Sequence, residues 1–110
     1  MAHLKLFLLF LCCFLALFSC ASHYQKIKVD QVELYLKKKD AKEVKIAYSL
    51  DQFTPRKTKK ISVSTWMALV PTTEEFSYFY IVDGTVYLPK CSYLEKDDFG
   101  SENCIYQPDR

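Results

Sequence analysis

Residues 76–82 read FSYFYIV, seven consecutive positions of which all but Ser77 are aromatic or β-branched. Such a run favours an extended, half-buried strand over a helix. Asp83-Gly84 follows at once, and a second short run, Thr85 to Leu88, follows that. Asp-Gly between two such runs signals a two-residue hairpin turn, because both central residues of that turn need positive φ. Pro89 ends the second run, since it has no N–H to give a ladder. A lone hairpin is marginal in water, so the rest of the chain must supply further strands.

The remaining pattern does so. Ile27 and Val29 alternate, and Val32, Leu34 and Leu36 alternate in the opposite phase. A phase change of this kind implies a bulge or two short strands. Val44, Ile46 and Tyr48 mark another strand. Residues 51–60 (DQFTPRKTKK) read as a polar loop; Ile61 and Val63 then open a strand that Trp66, Ala68 and Val70 continue. Residues 71–75 read as a turn, residues 90–102 as an acidic loop, and Cys104-Ile105-Tyr106 as a short last strand. No stretch carries a 3.6-residue period. The expectation is an all-β domain, a sandwich of about seven short strands.

The start of the chain is different in kind. Positions 6–18 are thirteen residues without a polar side chain, preceded by His3 and Lys5 and followed by Ser19, Cys20, Ala21 and Ser22. That order is the order of a secretory signal peptide. A spanning helix needs about 20 apolar residues, so the run is too short to cross and stay. The chain therefore divides into a signal at 1–19, a polar tether at 20–26 and a β-domain at 27–110.

Export gives the five cysteines a meaning. Cys12 and Cys13 leave with the signal, and Cys91 and Cys104 are the one pair in the folded part. In an oxidising compartment such a pair is expected to close, stapling the 92–103 loop at its base. The alternative is two buried free thiols. Cys20 is left without a partner. Its context, Leu17-Phe18-Ser19-Cys20, resembles the bacterial lipobox, in which the cysteine is acylated and becomes the new N-terminus. That resemblance implies a membrane anchor through a lipid on Cys20, each buried methylene adding about 0.8 kcal/mol. Ala21 resembles the outer-membrane sorting pattern of a Gram-negative envelope. Ordinary cleavage near Cys20 or Ala21, leaving a free or intermolecular thiol, is the other reading.

Two stretches together resemble a family. Val44-x-Ile46-x-Tyr48-x-Leu50-Asp51-x-Phe53-x-Pro55 resembles the V-x-L-x-G-x-F-N-x-W-x-P stretch of family-48 carbohydrate-binding modules. Trp66 with Phe76-Ser77-Tyr78-Phe79-Tyr80-Ile81-Val82-Asp83-Gly84 resembles their W…Y-x-Y-K-F-x-V-D-G. Phe99-Gly100-Ser101-Glu102-Asn103-Cys104-Ile105 is similar to their closing L-G-x-x-N-x-V. The family includes the glycogen-binding domain of the AMP-activated protein kinase beta subunit and the N-terminal modules of isoamylases and branching enzymes. The resemblance implies an early-set immunoglobulin-like sandwich with an α-glucan ligand. It places the family's first stacking tryptophan on Phe53, its second near Val86, its lysine on Phe79, and its apolar residue and asparagine on Phe99 and Asn103. Phe53, Phe99 and Asn103 are thus the candidate glucan-binding residues. Val86 cannot stack and Phe79 cannot bond a sugar hydroxyl. Tyr87 and Tyr93 are further candidates for rebuilding an aromatic platform with Phe53.

Other chemistries find little support. Without residues 1–19 the chain carries 14 Lys and Arg against 13 Asp and Glu, a balance that argues against nucleic acid as a partner. The Lys37-Lys38-Lys39 run and the cluster Arg56, Lys57, Lys59 and Lys60 read as solvated loops or strand ends, the alternative being a membrane-surface or anionic-ligand role. The one histidine after the signal, His23, falls in the tether, which leaves no base for a serine or cysteine nucleophile. Glu74-Glu75 and Asp97-Asp98 are adjacent pairs in turns rather than facing acids of a glycosidase. No cysteine and histidine set fits zinc, and no cofactor is expected. The expected function is a non-catalytic binding module on a lipoprotein. Its partner is an α-glucan or, alternatively, another envelope protein.

Overall fold

The computed structural model describes residues 22–108. The expected signal and Cys20 lie outside the described residues. Ten strands run in order: β1 (His23–Ile27), β2 (Val32–Lys37), β3 (Val44–Tyr48), β4 (Arg56–Lys57), β5 (Lys59–Lys60), β6 (Thr65–Val70), β7 (Phe76–Val82), β8 (Thr85–Tyr87), β9 (Leu94–Lys96) and β10 (Glu102–Tyr106). A single 3-10 turn at Ser49–Asp51 is the only helical element among the described residues. The strands form two antiparallel sheets, one ordered β1-β2-β6-β5 and the other β4-β3-β7-β10-β9, with β8 also on β7. The sheets pack as an immunoglobulin-like sandwich. β8 and β10 share one edge of β7, β8 taking Tyr80–Val82 and β10 taking Phe76–Tyr78.

Alternation decides the core. Val32, Leu34 and Leu36 of β2 and Trp66, Ala68 and Val70 of β6 point inward from the four-stranded sheet. Val44, Ile46, Tyr48, Phe76, Tyr78, Tyr80, Cys104 and Tyr106 meet them from the other sheet. Phe76 lies against Tyr106 with ring centroids 5.2 Å apart, and Tyr78 meets Tyr80 edge-on at 6.0 Å. The period-two reading of β2, β3 and β6 therefore matches the residues that point into the core.

Several expectations need correction. The polar tether placed at 20–26 is a strand from His23 onward, in register with β2 from His23↔Leu36 to Ile27↔Val32. It is polar because it is an edge strand with one wet face, where Tyr24 stacks on Tyr35 at 4.8 Å and Lys26 lies over the same ring. The phase change after Ile27 is a reversal between two strands, not a bulge, and Val29 at its tip is exposed. The 51–60 loop contains β4 and β5, which carry the chain from one sheet to the other at Thr58. Ile61 and Val63 open no strand; they sit in the exposed turn before β6. The acidic loop 90–102 contains β9, and the last strand begins at Glu102. Strands of two or three residues carry too little alternation to register as a period, which is why ten strands replace about seven.

The Asp83-Gly84 turn is as read. φ is 49° at Asp83 and 83° at Gly84, the doubly positive pair of a type I′ hairpin. Cys91 and Cys104 form a disulfide with Cα atoms 5.9 Å apart. It closes the base of the 92–103 segment and sets Cys104 in the core.

Candidate functional site

The outer face of the six-stranded sheet follows from the inner one. With Phe76, Tyr78 and Tyr80 buried, β7 turns Ser77, Phe79 and Ile81 the other way. β3 adds Lys45 and Ala47, which face Ile81 and Phe79 in register, and β8 adds Val86, which faces Ile81 from the opposite edge. β10 adds Asn103 and Ile105, since Cys104 and Tyr106 are in the core.

Phe53 reaches this face by an unusual path. The chain leaves β3 through the 3-10 turn and then takes two left-handed residues in succession, Gln52 at φ 62° and Phe53 at φ 60°. Left-handed backbone costs an L-residue about 1–2 kcal/mol. Three contacts hold the turn. Phe53 N–H donates to Tyr48 O at 2.9 Å, Thr54 N–H donates to Asp51 Oδ1 at 3.2 Å, and Arg56 pairs with the second Asp51 oxygen. The result lays the Phe53 ring over Phe79, centroids 5.6 Å apart and planes 14° from parallel.

The three expected site residues are not gathered into one cluster. Phe53 is half-buried on the outer face against Phe79. Asn103 is on the same side of the sheet but only 6% exposed. Phe99 is 95% exposed at the tip of the β9–β10 turn, and no ring contact joins it to Phe53 among the described residues. That turn is well tied: Asp97 Oδ1 accepts from Phe99 N–H and Ser101 N–H, both at 2.9 Å. The Asp97 carboxylate is thereby occupied by backbone donors, and no cluster of three metal-ligating side chains occurs among the described residues. Tyr87 lies under the Lys38 ammonium at 3.9 Å, and Tyr93 borders the seam described below.

The sequence reading missed two features of this face. Phe79, taken as a lost lysine, is the ring on which Phe53 rests. Lys45 puts an ammonium on the same face, one strand away, where it pairs with Glu43 at 3.6 Å. Strict alternation through Val44-Lys45-Ile46-Ala47-Tyr48 was the available signal for Lys45.

The chain matches no protein-family model and no curated protein.

Both open seams between the sheets hold a depression, and neither is lined by Phe53, Phe99 or Asn103. One, about 310 Å³, lies between β1 and β10 and is bordered by His23, Gln25, Tyr78, Lys90, Tyr93 and Gln107. The other, about 680 Å³, lies where β4 and β5 cross, over Ile46, Tyr48, Met67 and Leu69 with Arg56 and Lys59 at its rim. His23 was placed outside the fold and is inside it. Its Nε2 is 2.9 Å from Tyr80 Oη, and burial lowers its pKa to about 4, so the imidazole is neutral near pH 7. Burial also raises the phenols of Tyr78 and Tyr80.

Proposed function

We propose that this protein is a non-catalytic binding module, held at a bacterial envelope membrane by a lipid on Cys20, whose ligand is an α-glucan chain. The binding surface is the outer face of the six-stranded sheet around Phe53 and Phe79. The observation that carries the reading is Phe53 itself. A bulky aromatic residue in left-handed backbone is a costly conformation that loops adopt where a side chain must be aimed. Here the conformation stacks Phe53 on Phe79 at the position where the resembled family puts its first stacking ring. Lys45 supplies a polar group to the same face, whereas Asn103, on the same side of the sheet, is too buried to reach a ligand without local opening. Sugar rings bind through apolar contact with an aromatic plane and through hydrogen bonds at its margin, and this face offers both kinds of group.

The test is electrophoresis of the mature protein through gels containing glycogen or amylose. Retardation that disappears in Phe53→Ala and Phe79→Ala, with unchanged circular dichroism, is the expected result. Wild-type migration indifferent to either polysaccharide would refute the glucan assignment.

A second reading, docking to another envelope protein, is favoured by Phe99. A phenylalanine 95% exposed on a hydrogen-bonded turn resembles an interface anchor more than a folding residue. Cross-linking of the membrane-bound protein should then capture one partner that Phe99→Ala releases, and capture unchanged in Phe99→Ala would count against it.

A further inference from the structure

We infer that the end of the sandwich formed by Ser22, the Lys37–Lys39 segment and the Ile61–Ser64 turn lies against the lipid headgroups of an anionic bilayer. The inference rests on the lipid anchor at Cys20 and goes beyond it, because an anchor alone does not say which part of the domain meets the membrane.

The register places these residues together. His23 faces Leu36, Leu36 faces Trp66, and Trp66 faces Lys60, so one rank crosses all four strands of the smaller sheet. Just beyond that rank, Lys37 faces Thr65. Lys37 N–H donates to Ser22 O and Lys38 N–H donates to Ser64 O, each at 2.9 Å. The start of the described chain and the β5–β6 turn therefore flank the same few residues at the same end.

The strand beginning at His23 leaves almost no tether. Ser22 is two residues from Cys20, and two residues of fully extended chain span at most about 7 Å. A lipid on Cys20 thus holds this end within a headgroup thickness of its acyl chains, whereas the Pro71–Glu75 turn is at the opposite end.

The surface chemistry of this end suits a bilayer. Val63 is 81% exposed and Ile61 46% exposed in a turn that otherwise contains serines. Apolar side chains at the tip of a turn have no folding reason to point into water together, and they can enter the interfacial layer. Lys37, Lys39, Lys59 and Lys60 are exposed around them, and basic side chains at this depth attract anionic lipids. Of the acidic groups nearby, Asp40 is exposed, Glu43 pairs with Lys45, and Asp83 accepts the Lys42 and Glu43 N–H groups. Lys38 and Lys60 contribute less, since their ammonium groups are drawn over Tyr87 and Trp66.

The test uses acylated protein extracted from membranes. With Cys20 acylated and Cys91 bonded to Cys104, Val63→Cys offers one free thiol for an environment-sensitive fluorophore. Glu74→Cys offers the matching thiol at the far end. Each labelled protein is reconstituted into vesicles of phosphatidylcholine, alone or mixed with phosphatidylglycerol, containing spin-labelled lipid. The expected result is several-fold stronger quenching at position 63 than at position 74, greater with phosphatidylglycerol and reduced by high salt. Equal quenching at the two positions, or none at 63, would overturn the inference. Intact mass reads the anchor separately: acylated protein with no quenching difference refutes this face alone, whereas protein without acyl chains refutes the anchor and the face with it.

Discussion

His23 Nε2 lies 2.9 Å from Tyr80 Oη, a polar contact between an edge strand of one sheet and the central strand of the other. Tyr80 is 1% exposed, so its hydroxyl has no access to water and depends on this partner. The imidazole closes the seam between the layers, with Tyr78 and Tyr80 rings at 5.9 and 5.6 Å. Its burial makes the contact a source of pH sensitivity. The folded-state pKa falls from 6.5 to about 4, so between those values the unfolded chain binds the proton and the folded chain does not. Stability is therefore complete above pH 6.5 and declines as pH falls to about 4, by an amount on the order of 3 kcal/mol. Urea denaturation across that range should show the decline in wild type and a clearly flatter profile in His23→Gln, which keeps a polar partner for Tyr80 and does not titrate. Parallel profiles would mean that His23 stays solvated in the folded state.

The Cys91–Cys104 bridge closes a sequence separation of 13. Constraining a loop of that size is worth about 3 kcal/mol in the unfolded chain. Reduction under native conditions should lower unfolding free energy by about that amount while both side chains remain. Cys91→Ala/Cys104→Ala should cost somewhat more, because Cys104 is fully buried and its truncation leaves a small void. Denaturation curves of the oxidised, reduced and doubly substituted proteins separate the two contributions, and an unchanged midpoint on reduction would show that the cross-link constrains nothing.

What the sequence disclosed divides along physical lines. β2, β3 and β6 were legible because each alternates over at least five residues between a core and a second face, and β7 because its residues are almost all aromatic or β-branched. The disulfide was legible from cysteine arithmetic once residues 1–19, the expected signal, were set aside, and the hairpin from Asp83-Gly84. β1 was not, since an edge strand made of His23, Tyr24, Gln25 and Lys26 has the composition of a linker. β4, β5 and β9 are two or three residues long and are specified by tertiary pairing alone. At the candidate site, the contact of Phe53 with Phe79 was not legible. That contact depends on two left-handed residues, Gln52 and Phe53, which no propensity favours. Asn103 was read as a ligand group; it is 6% exposed, which a motif does not report.

Asp83 joins local and long-range structure. It is a central residue of the β7–β8 turn, and its Oδ1 accepts from Lys42 N–H at 2.9 Å and Glu43 N–H at 2.8 Å. Its own N–H donates to Glu43 O at 2.9 Å. Asp83→Ala removes the acceptor and places alanine at positive φ, so a loss of about 2 kcal/mol is expected. Asp83→Asn keeps both an acceptor oxygen and tolerance for left-handed backbone, and should recover most of it. Gly84→Ala tests backbone alone, because nothing lies within 4 Å of the added Cβ; φ of 83° there predicts a loss of about 1 kcal/mol. Thermal denaturation of the three variants checks the order, and a neutral Asp83→Ala would dissociate the turn from the β2–β3 connection.

Phe53 allows backbone strain and ring stacking to be separated at the proposed binding face. Phe53→Ala abolishes the stack on Phe79, worth about 0.5–1.5 kcal/mol beyond buried area, and leaves a Cβ in left-handed backbone. Phe53→Gly abolishes the same stack and removes the left-handed penalty, at some cost in unfolded-chain entropy. The glycine variant should therefore unfold at higher urea than the alanine variant, reversing the usual order of the two residues. Gln52→Gly removes one left-handed penalty without touching the ring and should be more stable than wild type by up to about 1 kcal/mol. Retention on glycogen should follow the ring and not the stability: kept in Gln52→Gly, lost in Phe53→Ala and Phe53→Gly alike. Were Phe53→Ala the more stable of the pair, the left-handed conformation would be no burden on the fold, and the argument that the chain bears it in order to aim an aromatic ring would fail.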